Sequence, residues 1–368
     1  MCLLAAVFTL AGFVSSNTRA ASYTVQAGDS LWSVATANNI STSELAKINH
    51  LKKNTGLTEG QVLTLPGNKP AQATARPVEN SRKVTTAKTP ASIKKPVATA
   101  QRRAPQLASS SAIVVDANTG QTLFSKNTSS QTPIASITKL MTAMVVLDAN
   151  PSMQEVLQIE EADVDNLKHT TSRLQVGTRL PRYDMLRLAL MSSENRAAST
   201  LSRHYPGGKQ AFVNAMRIKA AKLGMTHTQF YDPTGLTPAN VSTAEDLVKM
   251  VKAASQYELI HEFTTTPSRE VAMNTSRQPL PYLNTNLLVR EGDWDITISK
   301  TGYINEAGHC LVMLATVANR PSVMVFLEAE GKFSPVGDAN RLKNWIEANR
   351  GNADQLAMAE PTTATETH

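Results

Sequence analysis

The sequence predicts an α+β fold for a main domain over residues 107–349, preceded by a small βααβ module over residues 22–66. Strand patterns lie at both ends of the main domain, and helical patterns fill its middle. Strands from the two ends of a domain can pair in one antiparallel sheet, with the helical subdomain packed beside it. The predicted strands are a hairpin over 111–124 and three later segments at 296–301, 309–317 and 323–328.

Local patterns justify the helices of the main domain. Residues 208–223 have helical spacing of apolar positions, and Ser242-Thr-Ala-Glu245 is a capping-box pattern that predicts a helix starting at Ser242. The closing helix is predicted from Ser334, because Pro335 fits the first turn and apolar residues recur on one face after it.

The small module has its own signals. Residues 23–31 predict a strand and a turn, and Ser41-Thr-Ser-Glu44 predicts the start of its second helix. A closing strand is expected at 61–65. The segments 23–35, 45–49 and 57–66 resemble a LysM domain. That resemblance implies binding to N-acetylglucosamine-containing glycans such as peptidoglycan.

Charge and cysteine content exclude several classes of protein. The net charge is +7, but residues 68–106 hold nine basic residues and one acidic residue, so the rest of the chain is slightly negative. A nucleic-acid-binding domain would carry its excess charge on a folded face, so we expect no nucleic-acid partner. Two cysteines are too few for a disulfide scaffold or a Cys-rich metal site. The seven histidines form no metal-ligand motif, so no metal or cofactor is expected.

The remaining segments predict export. Residues 1–20 fit a signal peptide, with cleavage near Ala20 or Ala21, which implies a periplasmic protein. Residues 67–106, rich in Pro, Ala, Lys and Arg, predict a solvated linker. Residues 350–368 are polar and predict a disordered tail, so no stable membrane anchor is expected. Cys310 lies in an apolar segment and is interpreted as an inert buried thiol.

The first catalytic pattern is Ser136-Ile-Thr-Lys139 at the start of a predicted helix. Residues three apart share a helix face, so Lys139 can reach the Ser136 hydroxyl. The helix N-terminus also supplies backbone N–H groups for a developing oxyanion. A second Ser-x-x-Lys copy begins at Ser92 but lies in the predicted linker. By itself, Ser136 would fit an ordinary helix cap better than a nucleophile.

Two further patterns follow in the chain. Ser193-Glu-Asn195 lies at a break between two helical runs, where a loop can present both side chains. Lys300-Thr-Gly302 falls at the end of a predicted strand, where the glycine permits close approach of a ligand. Ser125-Lys-Asn127 also has the Ser-x-Asn form, but it precedes Ser136 and lies in the hairpin.

In this order and spacing, the three patterns resemble those of serine penicillin-binding proteins and β-lactamases. The resemblance implies their fold, an antiparallel sheet with a helical subdomain. Within that group, the chain is most similar to the D-alanyl-D-alanine endopeptidases of the penicillin-binding protein 7 type. The residues that carry this narrower resemblance are Met191-Ser-Ser-Glu-Asn-Arg-Ala-Ala, His204-Tyr-Pro-Gly-Gly, Asp232-Pro-Thr-Gly-Leu and Lys300-Thr-Gly-Tyr-Ile-Asn-Glu-Ala-Gly-His.

The resemblance implies a role for each residue. Ser136 is the nucleophile, Lys139 its base, and Ser193 a proton relay. The substrate-binding residues would be Asn195, Lys300, Thr301, Gly302 and Tyr303, with the backbone N–H groups of Ser136 and Tyr303 forming the oxyanion hole. The implied partners are cross-linked stem peptides of peptidoglycan and, as covalent inhibitors, β-lactams. Glu194 is interpreted as structural or solvated, not as a base.

Three alternatives stay open at this point. A D-alanyl-D-alanine carboxypeptidase uses the same residues, although such enzymes commonly carry a further β-rich domain and a C-terminal anchor. A β-lactamase usually has Asp where this chain has Glu194, and no Glu-x-x-x-Asn deacylation motif is recognisable. A non-catalytic peptidoglycan-binding protein would lack Ser136, Lys139 or Lys300, and all three are present.

Overall fold

The computed structural model describes residues 21–25, 31, 34–35, 38, 42–51, 57–58, 60–66 and 104–349. The predicted signal peptide, most of the predicted linker and the predicted tail lie outside these residues. The chain divides into two units, Met1–Val97 and Ala98–His368.

The smaller unit contains a two-stranded antiparallel sheet and a helix. Strand β1 (Ala21–Thr24) pairs with β2 (Val62–Leu65), and helix α1 (Thr42–Ile48) lies between them in the chain. Residues 31, 34 and 35 are also helical, and they are buried with Leu45 and Leu63. The Asn49 side chain bonds both the N–H (2.6 Å) and the carbonyl (2.9 Å) of Thr64, which ties the end of α1 to β2. The described residues thus follow the predicted order of strands and helices.

A five-stranded antiparallel sheet forms the centre of the larger unit. Its three late strands lie side by side in chain order, the last of them pairs with the first strand of this unit, and the second strand of the unit forms the far edge. Pairing of both chain ends in one sheet confirms the predicted α+β class. The strand bounds are β3 (Ser109–Asp116), β4 (Thr122–Lys126), β5 (Ile296–Ile304), β6 (Gly308–Val317) and β7 (Arg320–Ala329).

Helices cover both faces of the sheet. Because side chains alternate along a strand, Ile113 and Val115 face the helical subdomain, whereas Ala112 and Val114 face the closing helix. The helices are α2 (Thr138–Asp148), α3 (Arg182–Met191), α4 (Asn195–Arg203), α5 (Gly208–Lys222), α6 (Ala244–Ala254), α7 (Glu258–Thr265), α8 (Leu287–Glu291) and α9 (Ser334–Ala348). Short paired strands are Thr132–Pro133 with Val241–Ser242, Val156–Gln158 with Arg179–Pro181, and Ser268–Val271 with Leu280–Leu283.

Several element boundaries differ from the sequence prediction, and two of them have a clear physical reason. The cap of α6 is Thr243, whose hydroxyl accepts the N–H of Asp246 at 3.2 Å, and not Ser242. Ser242 is engaged in the short strand opposite Thr132. Strand β5 runs on to Ile304 because residues 302–304 pair with the start of β6. None of the helices in the described part of the chain has the length and apolar character needed to cross a bilayer.

Candidate active site

Ser136 lies in a single turn of 3-10 helix, Ala135–Ile137, directly before α2. The α-helix itself begins at Thr138, two residues later than predicted. Ala135 has a left-handed backbone (φ 46°), an unfavourable conformation for a residue with a Cβ. A spatially adjacent segment of the same chain holds the turn in place, because the Ile134 N–H donates to the Asn240 carbonyl at 3.0 Å.

Lys139 is fully buried on the first turn of α2 and points at the serine. Its Nζ lies 2.7 Å from each of three oxygens: Ser136 Oγ, Asn195 Oδ1 and the Thr234 carbonyl. Burial lowers the pKa of Lys139 to about 7, against the opposing attraction of Asp232 and Glu194. A neutral amine in this place keeps two donors for Asn195 and Thr234 and turns its lone pair to the Ser136 hydroxyl. The geometry is therefore that of a serine beside a competent base.

Ser193 and Asn195 stand at the junction of α3 and α4. The loop between these helices is only three residues long, and Ser193 adopts a left-handed backbone (φ 62°) that turns the chain sharply. Ser193 Oγ accepts from Lys300 Nζ at 2.9 Å, while Asn195 Nδ2 donates to Thr170 Oγ1 at 3.1 Å. The junction thus connects the Lys139 side of the site with the Lys300 side.

Strand β5 supplies the other wall. Lys300 is 1% exposed, and burial together with the Lys139 cation lowers its pKa well below the usual lysine range. Thr301 donates to Thr285 Oγ1 at 2.6 Å. A Cβ added at Gly302 would lie 3.0 Å from the Ile134 carbonyl and 3.1 Å from Ser136 N, so β5 packs tightly against the serine turn. Lys300-Thr-Gly302 therefore lies inside β5, not at its end as predicted.

The structure brings the three sequence patterns together. Ser136, Lys139 and Asn195 form one chain of contacts, and Ser193, Lys300 and Thr301 form a second one beside it. Tyr303 follows on β5 with its side chain half exposed; its ring stacks on His309 at 4.2 Å and its hydroxyl bonds Asn305. The alternative Ser125 pattern lies on β4, at the opposite edge of the sheet from β5. Ser92 lies outside the described residues.

The Asp232-Pro-Thr-Gly235 loop, to which the sequence alone assigns no role, contributes a hydrogen-bond acceptor to the site. The Asp232 carboxylate accepts the N–H groups of Thr234 (2.7 Å), Gly235 (2.5 Å) and Thr237 (3.0 Å). This turn presents the Thr234 carbonyl to Lys139. An Asp followed by Pro and Gly is a turn signal, but its partner in space cannot be read from the turn.

Thr170, which accepts from Asn195, was also missed by sequence reasoning. It belongs to an irregular segment, residues 165–174, between a 3-10 turn (Glu161–Asp163) and α3. No periodic pattern marks this segment, so its contact with the Ser-Glu-Asn loop becomes visible only in the folded chain.

Comparison with known proteins connects this geometry to a family. Residues 97–331 match the D-alanyl-D-alanine carboxypeptidase family of peptidases, and residues 23–66 match the LysM domain. The chain is 49% identical over 245 residues to a D-alanyl-D-alanine endopeptidase of Pseudomonas aeruginosa, a match that covers 67% of this chain and 79% of that protein.

Solved structures show the same fold. The DD-transpeptidase of Streptomyces K15 matches with a TM-score of 0.62 and 26% identity, over 66% of this chain and 98% of that one. Penicillin-binding protein D2 of Listeria monocytogenes, in its ampicillin-bound form, matches with a TM-score of 0.57 and 28% identity over the same shares. The predicted penicillin-binding-protein-like fold is thereby confirmed.

Proposed function

Because the chain belongs to the D-alanyl-D-alanine carboxypeptidase family of peptidases, we propose that it is a serine D,D-endopeptidase that cleaves D-alanyl cross-links of peptidoglycan. The observation that carries the proposal is the contact of Ser136 Oγ with the buried amine of Lys139 at 2.7 Å. The endopeptidase assignment within the family is supported by the 49% identity to a relative of that name.

Acylation follows from the contacts of Ser136. As its Oγ attacks the carbonyl carbon of the D-alanyl residue, the neutral Lys139 takes the hydroxyl proton. A serine hydroxyl needs such a base because it is a weak nucleophile near neutral pH. The backbone N–H groups of Ser136 and Tyr303 would stabilise the oxyanion, each contributing about 2.7–4 kcal/mol to the transition state. The close packing of Gly302 on the serine turn supports this assignment, since it brings the two chain segments together.

Departure of the amine completes the first half-reaction. The proton on Lys139 must reach the leaving nitrogen, and the Ser193 hydroxyl, held by Lys300 at 2.9 Å, serves as the relay. Asn195 orients the substrate amide, while Lys300 and Thr301 orient the peptide and its carboxylate. Water then attacks the acyl-enzyme, with Lys139 again acting as base, and releases the second stem peptide.

The small module and the N-terminal segment complete the proposal. The match to the LysM domain supports glycan binding by residues 22–66, so both units would act on the same polymer. Export through residues 1–20 into the periplasm agrees with that substrate.

β-Lactams are proposed as covalent inhibitors that acylate Ser136. The Listeria relative was solved with ampicillin, which supports binding of this drug class. Asp232 and Glu194 are the carboxylates whose charge reaches Lys139, and both are occupied by hydrogen bonds from the protein. Neither carboxylate bonds Ser136 in the described structure. The ring-opened nitrogen of a β-lactam also stays attached to the acyl group, so it blocks the water that Lys139 would activate on a peptide acyl-enzyme. We expect a penicilloyl adduct that persists for minutes or longer, and a half-life of seconds by intact-protein mass spectrometry would contradict this.

Soluble substrates distinguish endopeptidase from carboxypeptidase. The purified protein is incubated with cross-linked muropeptide dimers and, separately, with pentapeptide monomers, and Ser136→Ala serves as the inactive control. The proposal predicts conversion of dimers to monomers, with much slower release of free D-alanine from pentapeptides. Rapid D-alanine release with intact dimers would identify a carboxypeptidase. Failure to cleave either substrate would favour a non-catalytic binding protein.

A further inference from the structure

Glu194 lies between Ser193 and Asn195 in the chain, but its side chain contacts Ser172, which lies outside the three sequence patterns. The Glu194 carboxylate accepts the Ser172 hydroxyl at 2.6 Å. It therefore attaches the Ser-Glu-Asn loop to residues 165–174, here named the 165–174 segment. A solvated surface carboxylate would have no such fixed partners, and Glu194 is partly buried.

The 165–174 segment is itself internally braced. The Asp165 carboxylate accepts the N–H groups of Leu167 (2.8 Å), Lys168 (3.0 Å) and Thr170 (2.9 Å), and these bonds lower its pKa to about 2. Thr170 also donates its hydroxyl to Asp165 at 2.7 Å, which leaves the hydroxyl oxygen to accept from Asn195. The segment thus offers a fixed acceptor to the Asn195 amide.

Two attachments therefore join the Ser-Glu-Asn loop to the 165–174 segment. One runs from Asn195 through Thr170 to Asp165, and the other runs from Glu194 to Ser172. In the second, Ser172 Oγ also accepts the Leu174 N–H at 3.1 Å, so its proton is directed at Glu194. The first attachment fixes which way the Asn195 amide points, because Thr170 gives its proton to Asp165 and can only accept: Nδ2 faces Thr170 and Oδ1 faces Lys139.

The charge of Glu194 also acts on the base. The charged groups facing Lys139 are Asp232 and Glu194, which favour its ammonium form, and Lys300, which disfavours it. Burial alone would leave Lys139 a weaker base, because a lower pKa reduces its affinity for the proton taken from serine. Glu194 in turn faces Arg173, whose guanidinium lies 3.8 Å above the Tyr282 ring, and Tyr282 itself.

We propose that Glu194 is a positioning residue for acylation: through its bond to Ser172, its carboxylate holds the loop that carries Ser193 and Asn195 against the 165–174 segment. It accepts no proton from substrate. The inference rests on the proposed serine mechanism and assigns within it a residue that the motif treats as variable.

Three variants separate position from charge. Glu194→Gln keeps an acceptor for Ser172 and removes the charge, Ser172→Ala removes one contact and keeps the charge, and Glu194→Ala removes both. Glu291→Gln, an exposed carboxylate on α8, is the matched control for loss of one negative charge. The readout is the second-order rate of acylation by a fluorescent penicillin from about pH 5 to 9, with thermal unfolding recorded for every variant.

The expected results differ between the variants. Glu194→Gln acylates within about threefold of the wild-type plateau, but the acid limb of its profile moves about half a pH unit lower, because the pKa of Lys139 falls. Ser172→Ala lowers the plateau and leaves the limb in place. Glu194→Ala lowers the rate about tenfold or more at every pH and also moves the limb. Glu291→Gln superimposes on wild type.

Other results overturn the inference in distinguishable ways. If the wild-type protein is not acylated at any pH, the proposed function fails and the inference fails with it. If wild type is acylated and the pH profiles of Glu194→Gln and Glu194→Ala both superimpose on the wild-type profile, the inference fails and the proposed function stands. A folded Glu194→Gln protein without acylation at any pH would make Glu194 a proton-transfer group, which also contradicts a positioning role.

Discussion

Two buried lysines, Lys139 and Lys300, lie at the centre of the site and form different hydrogen bonds. Lys139 contacts Ser136, the proposed nucleophile, whereas Lys300 contacts Ser193 and the Thr301 carbonyl. Each cation disfavours the other, and burial disfavours both, so the pair binds fewer protons near neutral pH than two exposed lysines would. The neutral amine that the proposed mechanism requires is thereby available near neutral pH.

Acylation is therefore expected to depend on pH through Lys139. Since the neutral amine is the active form and the pKa is about 7, the rate should rise with pH through that value and fall as the pH drops below it. Lys139→Arg, which stays charged, should acylate about 10²–10⁴-fold more slowly. The second-order rate with penicillin measures both effects, and Lys252→Arg on the exposed face of α6 is the control. A rate that is flat down to about pH 5 would contradict lysine as the base.

Residues that make local patterns were accessible from the sequence, and residues that act through space were not. Ser136 and Lys139 could be paired because they lie one helical turn apart. The Thr234 carbonyl bonds Lys139, which lies 95 residues away in the chain. The Thr170 hydroxyl bonds Asn195, which lies 25 residues away. No local pattern specifies such contacts, because they depend on how the loops fold over α2 and α4.

At the scale of elements, the serine turn depends on a neighbouring loop. Gly235 has φ +82°, and an added Cβ there would lie 1.9 Å from the Ala135 carbonyl. The loop therefore packs directly beneath the left-handed Ala135 and holds the turn that carries Ser136. The Asp232 carboxylate, bonded to three backbone N–H groups of the same loop, keeps the loop in that shape.

Substitution of Gly235 by Ala tests this support. Gly120→Ala is the matched control, because Gly120 has a similar φ of +75° but no atom within 4 Å of an added Cβ. Gly120→Ala should cost roughly 1–2 kcal/mol of unfolding free energy from backbone strain alone. Gly235→Ala should cost about 3 kcal/mol or more and also slow acylation, because the Ala135 turn must move. Urea unfolding measures the costs, and equal values for the two variants would show that the loop does not brace the turn.

Strand and helix existence was easier to predict than their ends. The apolar run 309–317 predicted β6 almost residue for residue, and Pro335 marked the start of α9. The end of β5 was predicted three residues early, since Gly302 is a residue type depleted in strands and interrupts the strand pattern before Tyr303. Their pairing with Cys310 and His309 keeps them in the sheet, and this register is a property of two strands together.

At the scale of the whole molecule, two units with separate cores share one chain. The described residues of the smaller unit have a core built around Leu45 and Leu63, and the larger unit has its cores on the two faces of the sheet. The composition of residues 67–106 predicts a linker between them, and this stays a prediction because residues 67–103 lie outside the described part. A linker of about forty residues would raise the local concentration of the catalytic unit on polymeric wall.

Deletion of residues 22–66 tests this division of labour. Hydrolysis of intact sacculi should weaken, because attachment to the polymer is lost, whereas cleavage of soluble cross-linked dimers should stay nearly unchanged. Product release from the two substrates is measured at equal enzyme concentration. A tenfold loss on soluble dimers in a folded protein would show that the LysM domain contributes to the catalytic site.

Labelling with fluorescent penicillin decides whether Ser136 is the covalent nucleophile. Wild type and two single variants, Ser136→Ala and Ser92→Ala, are incubated with the label and resolved as intact denatured protein. Ser92 is the matched control because it heads the other Ser-x-x-Lys copy in the chain. We expect strong labelling of wild type and Ser92→Ala and none of a folded Ser136→Ala. Retained labelling of Ser136→Ala would contradict this expectation.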